Sequence, residues 1–131
     1  MSLVIAFLFI TCGGLIYIAY RPKTLMLFQL ADDLFLSKIV DNLREVALAI
    51  HLPDFMVYSL PAGLWTASYL LIMFYLTRKC YRPTRMKLSL PLPISAVVLE
   101  VAQCFSLCPG TFDILDLVCY LVPITIFIIY I

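Results

Sequence analysis

Apolar side chains dominate four stretches of this chain, at Ser2–Tyr20, Phe55–Thr77, Leu88–Leu107 and Phe112–Ile131. At about 1.5 Å of rise per helical residue, each is long enough, or nearly so, to cross about 30 Å of hydrocarbon. The pattern predicts an all-α, polytopic membrane protein: four transmembrane helices in a single domain covering residues 1–131. Between the first two stretches the periodicity changes. Leu36, Ile39, Val40, Leu43, Val46, Ala47 and Ile50 recur at three- and four-residue spacing, while Lys38, Asp41, Asn42, Arg44 and Glu45 take the other side. This predicts an outer amphipathic helix from about Ser37 to Ile50, a surface anchor or a lid, with Asp32 and Asp33 as turn or cap residues before it.

Composition sharpens the picture. With 64% apolar and 13% charged residues and a mean hydropathy of +1.06, the chain departs from soluble domains, of which about 25% is charged. A water-soluble reading is set aside on that ground. The first stretch has no basic residue ahead of it, is interrupted by Thr11-Cys12-Gly13-Gly14, and lacks an Ala-x-Ala site before Arg21. It reads as a retained helix, not a cleaved signal. The five cysteines, Cys12, Cys80, Cys104, Cys108 and Cys119, cannot all pair. Cys104 and Cys108 share a helix face, but that spacing suits a disulfide poorly, so packing is the expected use. No zinc-type repeat is present.

Charge sets an expected orientation. The connection from Arg78 to Lys87 holds five basic residues and no acidic one, whereas Arg21 to Asp54 holds four basic and five acidic residues. Short basic loops stay in the cytoplasm, which places both termini there and the amphipathic segment outside.

Four carboxylates, Asp54, Glu100, Asp113 and Asp116, lie in or beside the apolar stretches. An ionised group near mid-bilayer costs about 2.5 to 3.5 kcal/mol on insertion scales, so such residues need a partner, a wet cavity or a task. The expected topology brings all four to the outer half of the bundle. Glu100 and Gln103 share one face, Asp113, Asp116 and Tyr120 another, and the turn Cys108-Pro109-Gly110-Thr111 makes their helices antiparallel neighbours. The predicted ligand site is Tyr58, Glu100, Gln103 and Asp116, with Asp54 and Asp113 at its rim. Structural readings stand beside it: Asp54 and Asp113 suit helix starts, Thr111 is an alternative cap, and Gln103 suits a hydrogen bond to Glu100. Trp65 reads as packing, His51 as a surface residue, and Pro61, Gly63, Pro91, Pro93 and Pro123 as kink points.

At these residues the chain resembles the VanZ-like family of small membrane proteins, named for a component associated with glycopeptide-antibiotic resistance. That family carries His-Phe-x-x-Tyr at the start of one helix. Further on come Glu with Gln three residues later, then Arg and Asp-x-x-Asp at the start of the last helix, followed by Asn and Gly. Here the first element is Asp54-Phe55-Met56-Val57-Tyr58, with Asp54 in place of the His. Glu100, Gln103, Asp113 and Asp116 match the later elements. Thr111 or its neighbour stands where the Arg would be, Tyr120 falls near the Asn, and Val122 or Pro123 replaces the Gly. The resemblance covers about Leu52 to Ile131. It implies a bacterial inner-membrane protein of the cell envelope that binds or masks a lipid-linked or wall-derived component at an outward, carboxylate-lined site.

The partners implied are membrane lipid, a lipid-linked precursor or another membrane protein, and no nucleic acid. Two alternatives remain: a non-catalytic subunit of a membrane complex, and an enzyme whose paired carboxylates hold Mg²⁺ or act as acid and base. Outside the enzymatic alternative no cofactor is expected, and no catalytic residue stands out.

Overall fold

The computed structural model describes residues 2–21 and 37–131, which leaves Asp32, Asp33 and Leu36 outside the described part. Seven helices form among these residues: α1 (Ser2–Tyr20), α2 (Ser37–Leu48), α3 (Asp54–Tyr58), α4 (Leu60–Leu76), α5 (Arg82–Ser89), α6 (Pro91–Cys104) and α7 (Ile114–Tyr130). Helix α4 is central and packs between α1 and α7; α6 lies on α7, and α2 crosses the end of α1.

Small residues let these helices approach closely. Helix α1 buries Ala6, Gly13 and Ala19 and turns Leu3, Val4, Phe7 and Leu8 outward. A Cβ at Gly13 would stand 2.7 Å from Trp65 Nε1, so only glycine leaves room for that indole. Ser68 on α4 donates a buried 2.8 Å hydrogen bond to the Ala6 carbonyl, tying the two helices together. On the other side of α4, Gly63 meets α7 at Cys119, whose carbonyl would lie 3.1 Å from an added Cβ. Pro123, four residues on, has no N–H to give that carbonyl, so the close approach falls where α7 has lost a backbone bond. The largest buried cluster joins Leu70, Leu90, Ile124 and Phe127, with Phe74 edge-on to Phe127 at 6.4 Å.

Prolines divide two of the four apolar stretches. Pro61 cannot donate to the Val57 carbonyl, and the second stretch breaks at Ser59 into α3 and α4. Pro91 and Pro93 likewise remove two donors, and the chain bends by 46° between α5 and α6. Helices α4 and α7 have 17 residues each, about 26 Å of rise against the roughly 30 Å needed. The expectation of four transmembrane helices is thereby corrected. Among the described residues one helix, α1, is long and apolar enough to cross a membrane, or two if the bent pair α5–α6 counts as one span. The multi-pass inner-membrane localisation, with both termini in the cytoplasm, loses its basis with those spans.

The basic connection also has a different part to play. Its residues from Arg82 form α5, and Arg85 donates to the carbonyls of Thr77, Arg78 and Cys80 at the end of α4. A cation at a helix C-terminus satisfies its last carbonyls and complements its dipole. The amphipathic helix forms as α2, turning Val40, Leu43 and Ala47 inward while Ile39 and Val46 remain exposed.

Candidate functional site

Four helices surround a cavity of about 290 Å³. Tyr17 and Arg21 come from the end of α1, Tyr58 from α3, Pro61, Ala62, Trp65 and Thr66 from the start of α4, and Asp116 and Tyr120 from the first turns of α7. Arg21 is the first charge after the apolar run of α1. Its guanidinium lies over the rings of Tyr58 at 4.8 Å and Tyr17 at 5.5 Å, and its Nη2 donates to the Tyr58 carbonyl at 3.2 Å. The Tyr17 ring in turn rests against Trp65 with centroids 5.4 Å apart. A guanidinium so stacked is held in place while its edge stays available to a planar anion.

Two polar atoms of these lining residues are buried without any hydrogen-bond partner: Arg21 Nε and Asp116 Oδ1. Helix-capping geometry explains how Asp116 comes to be free. Asp113 is the N-cap of α7, its side chain accepting from Leu115 N at 2.8 Å, and Asp116 stands three residues on. An acidic or amide group at that position ordinarily turns back to the N-cap backbone N–H. Here that N–H is already taken, because Asp113 N donates to Glu100 Oε1 of α6 at 2.9 Å. Asp116, a lining residue of the cavity, keeps Oδ1 buried without a partner. Burial, then the carboxylates of Asp116 and Glu100, push the Tyr120 phenol above its usual range, so the ring presents a neutral hydroxyl there.

The predicted site residues fall in three places. Asp116 and Tyr58 line the cavity with Arg21. Glu100, buried at 7% exposure, and Gln103, which donates to the Pro109 carbonyl at 3.5 Å, hold the α6–α7 connection together with Asp113. Gly110 there has φ +132°, and a Cβ on it would strike the Gln103 amide at 2.5 Å. Asp54 is exposed and borders a separate recess of about 220 Å³ with His51, Tyr20 and the other side of Tyr58.

Among the described residues no three His, Cys, Asp or Glu side chains gather where they could hold a metal ion. The carboxylates considered as Mg²⁺ ligands therefore do not form such a set. Arg21 and Tyr17 are not legible as site residues in the sequence, where Arg21 carries only a topological argument and Trp65 reads as packing. The one signal for them is their spacing: Arg21 follows Tyr17 by four residues, one face of a helix ending in the chain's first charge.

No family model, curated protein or solved structure matches the chain. The VanZ-like resemblance accordingly stands on its quoted residues alone. The function it implied, an inner-membrane envelope protein binding or masking a lipid-linked or wall-derived component and associated with antibiotic resistance, is corrected: it requires a polytopic bundle, and among the described residues one helix of spanning length forms, or two with the bent pair.

Proposed function

We propose that the protein is a non-catalytic binding module for a small zwitterion, held in the cleft between Arg21 and Asp116. The observation that carries this reading is one cavity whose lining holds a cation, Arg21, and a carboxylate, Asp116, among aromatic rings, each with a buried atom, Arg21 Nε and Asp116 Oδ1, that has no hydrogen-bond partner. A buried polar group without a partner costs about 1–3 kcal/mol, more when charged, and a ligand that supplies both partners recovers that energy on binding. Arg21 takes the anionic group. Its cation already covers Tyr17 and Tyr58, and Tyr17 rests against Trp65, which leaves Tyr120 and the part of Trp65 that Tyr17 does not cover. With Asp116 in the same lining, these suit a quaternary or primary ammonium.

Trp65 is the chain's sole tryptophan, so its fluorescence reports occupancy. Titration with methylphosphocholine, a phosphodiester with one negative and one positive charge, is expected to change Trp65 emission saturably. Arg21→Gln and Asp116→Asn are each expected to weaken binding by about tenfold or more, the equivalent of one buried charged partner. Equal affinity in both variants and the parent chain would remove the site.

A further inference from the structure

We infer that the zwitterion is the head of an amphiphile whose apolar chain lies in the groove between α4 and α6. The inference rests on the zwitterion reading and adds to it a substrate class. Beside the polar cleft lies a second cavity of about 320 Å³, bounded by Trp65, Thr66 and Tyr69 of α4 and by Leu92, Pro93, Ser95, Ala96 and Leu99 of α6. Trp65 and Thr66 belong to both cavities. The indole is thus the partition between a chamber lined by Arg21 and Asp116 and a groove walled mainly by hydrocarbon.

Two independent features favour one ligand spanning both. Arg21 and Asp116 line one cavity of about 290 Å³, so a head carrying both charges suits it and a hydrocarbon does not. The groove offers few hydrogen-bonding groups: the Thr66 hydroxyl donates to the Ala62 carbonyl at 2.9 Å and the Ser95 hydroxyl to the Leu92 carbonyl at 2.7 Å, which leaves the Tyr69 hydroxyl and the Trp65 N–H as its side-chain donors. An occupant there gains mainly by burying apolar area. Leu92 and Leu99 remain 61% and 54% exposed at its edge, so an alkyl chain enters from the side without parting the helices.

The experiment compares methylphosphocholine with hexylphosphocholine, which share one zwitterionic phosphodiester head, on the full chain held in an amphipathic polymer, read by Trp65 fluorescence and by calorimetry. At about 0.8 kcal/mol per buried methylene, even a half-buried hexyl chain should tighten binding at least tenfold. Ser95→Phe, at an exposed position, and Ala96→Phe fill the groove from α6. Both are expected to remove the hexyl gain while leaving methylphosphocholine affinity within about twofold, because neither residue borders the polar cleft. Equal affinity for the two ligands overturns the inference and leaves the zwitterion reading standing. A gain that survives in both variants puts the alkyl chain elsewhere and overturns it also. Absence of binding by either ligand defeats the reading and the inference together.

Discussion

A single hydrogen bond decides what Asp116 can do. Glu100 lines no part of the polar cleft, yet by accepting the Asp113 N–H it occupies the donor that Asp116 would otherwise cap. Glu100→Ala is therefore expected to act at two places. Loss of a buried acceptor should destabilise the fold by about 1–3 kcal/mol, seen in thermal or denaturant unfolding. Asp116 should also turn back to the freed N–H, lowering zwitterion affinity by about tenfold through loss of the ligand's partner. Glu100→Gln retains an oxygen that accepts the same bond, and affinity close to the parent is expected. If the alanine variant kept full affinity at a temperature where it is folded, Asp116 would owe its orientation to something else. Glu100 and Asp116 are legible in the chain as acidic residues with too little excuse for being apolar neighbours. Their division of labour is not, because it depends on which oxygen reaches Asp113 N, and spacing along two separate helices does not specify that.

The short helices act mainly by closing the ends of longer ones. Arg44 of α2 donates to the carbonyls of Ile18 and Arg21 at 2.9 and 2.7 Å, while the Tyr20 hydroxyl of α1 lies 3.1 and 3.0 Å from the carbonyls of Ala47 and Ile50 at the end of α2. Each helix thus satisfies carbonyls that the other cannot satisfy internally. The exchange bears on the site, since the Arg21 carbonyl is one of the atoms held. Arg44→Ala is expected to destabilise the fold by about 1–3 kcal/mol and to speed amide exchange over Tyr17–Arg21 by tenfold or more. It should also weaken methylphosphocholine binding, because Arg21 loses its backbone anchor. Unchanged exchange at the end of α1 would show that α2 does not hold it. The amphipathic period of α2 is readable in the order of its residues, and so is the helical character of every apolar stretch. The breaks at Ser59 and Leu90 follow from prolines that read as kink points. What the apolar pattern misses is the 46° bend between α5 and α6, which makes one straight span of that run impossible, and the 17-residue length at which α4 and α7 stop.

At the scale of the whole molecule, apolar residues outnumber the places available to hide them. The chain is 64% apolar, yet its largest buried cluster is centred on four residues, Leu70, Leu90, Ile124 and Phe127. Helix α1 turns out Val4, Phe7 and Leu8, α6 turns out Leu92, Val98 and Leu99, and α7 turns out Ile114, Val122 and Ile129. Hydropathy along the sequence registers this excess correctly as a property of composition. Converting it into a number of spans requires straight helices, which the prolines deny. The physical consequence that survives is surface chemistry: contiguous exposed apolar area on this scale drives association in water. Size-exclusion chromatography with light scattering is expected to show the chain as large self-associated species in detergent-free buffer. In a mild detergent it should become a single protein mass carrying bound detergent. Because the driving force is burial of apolar area, raising the salt concentration should not disperse the associated species, whereas charge pairing between copies would be screened at a Debye length of about 3 Å in 1 M salt. A monodisperse 14.9 kDa monomer in plain buffer would mean that these side chains are covered in solution by a rearrangement of the helices, and the packing of α4 between α1 and α7 would then need to change.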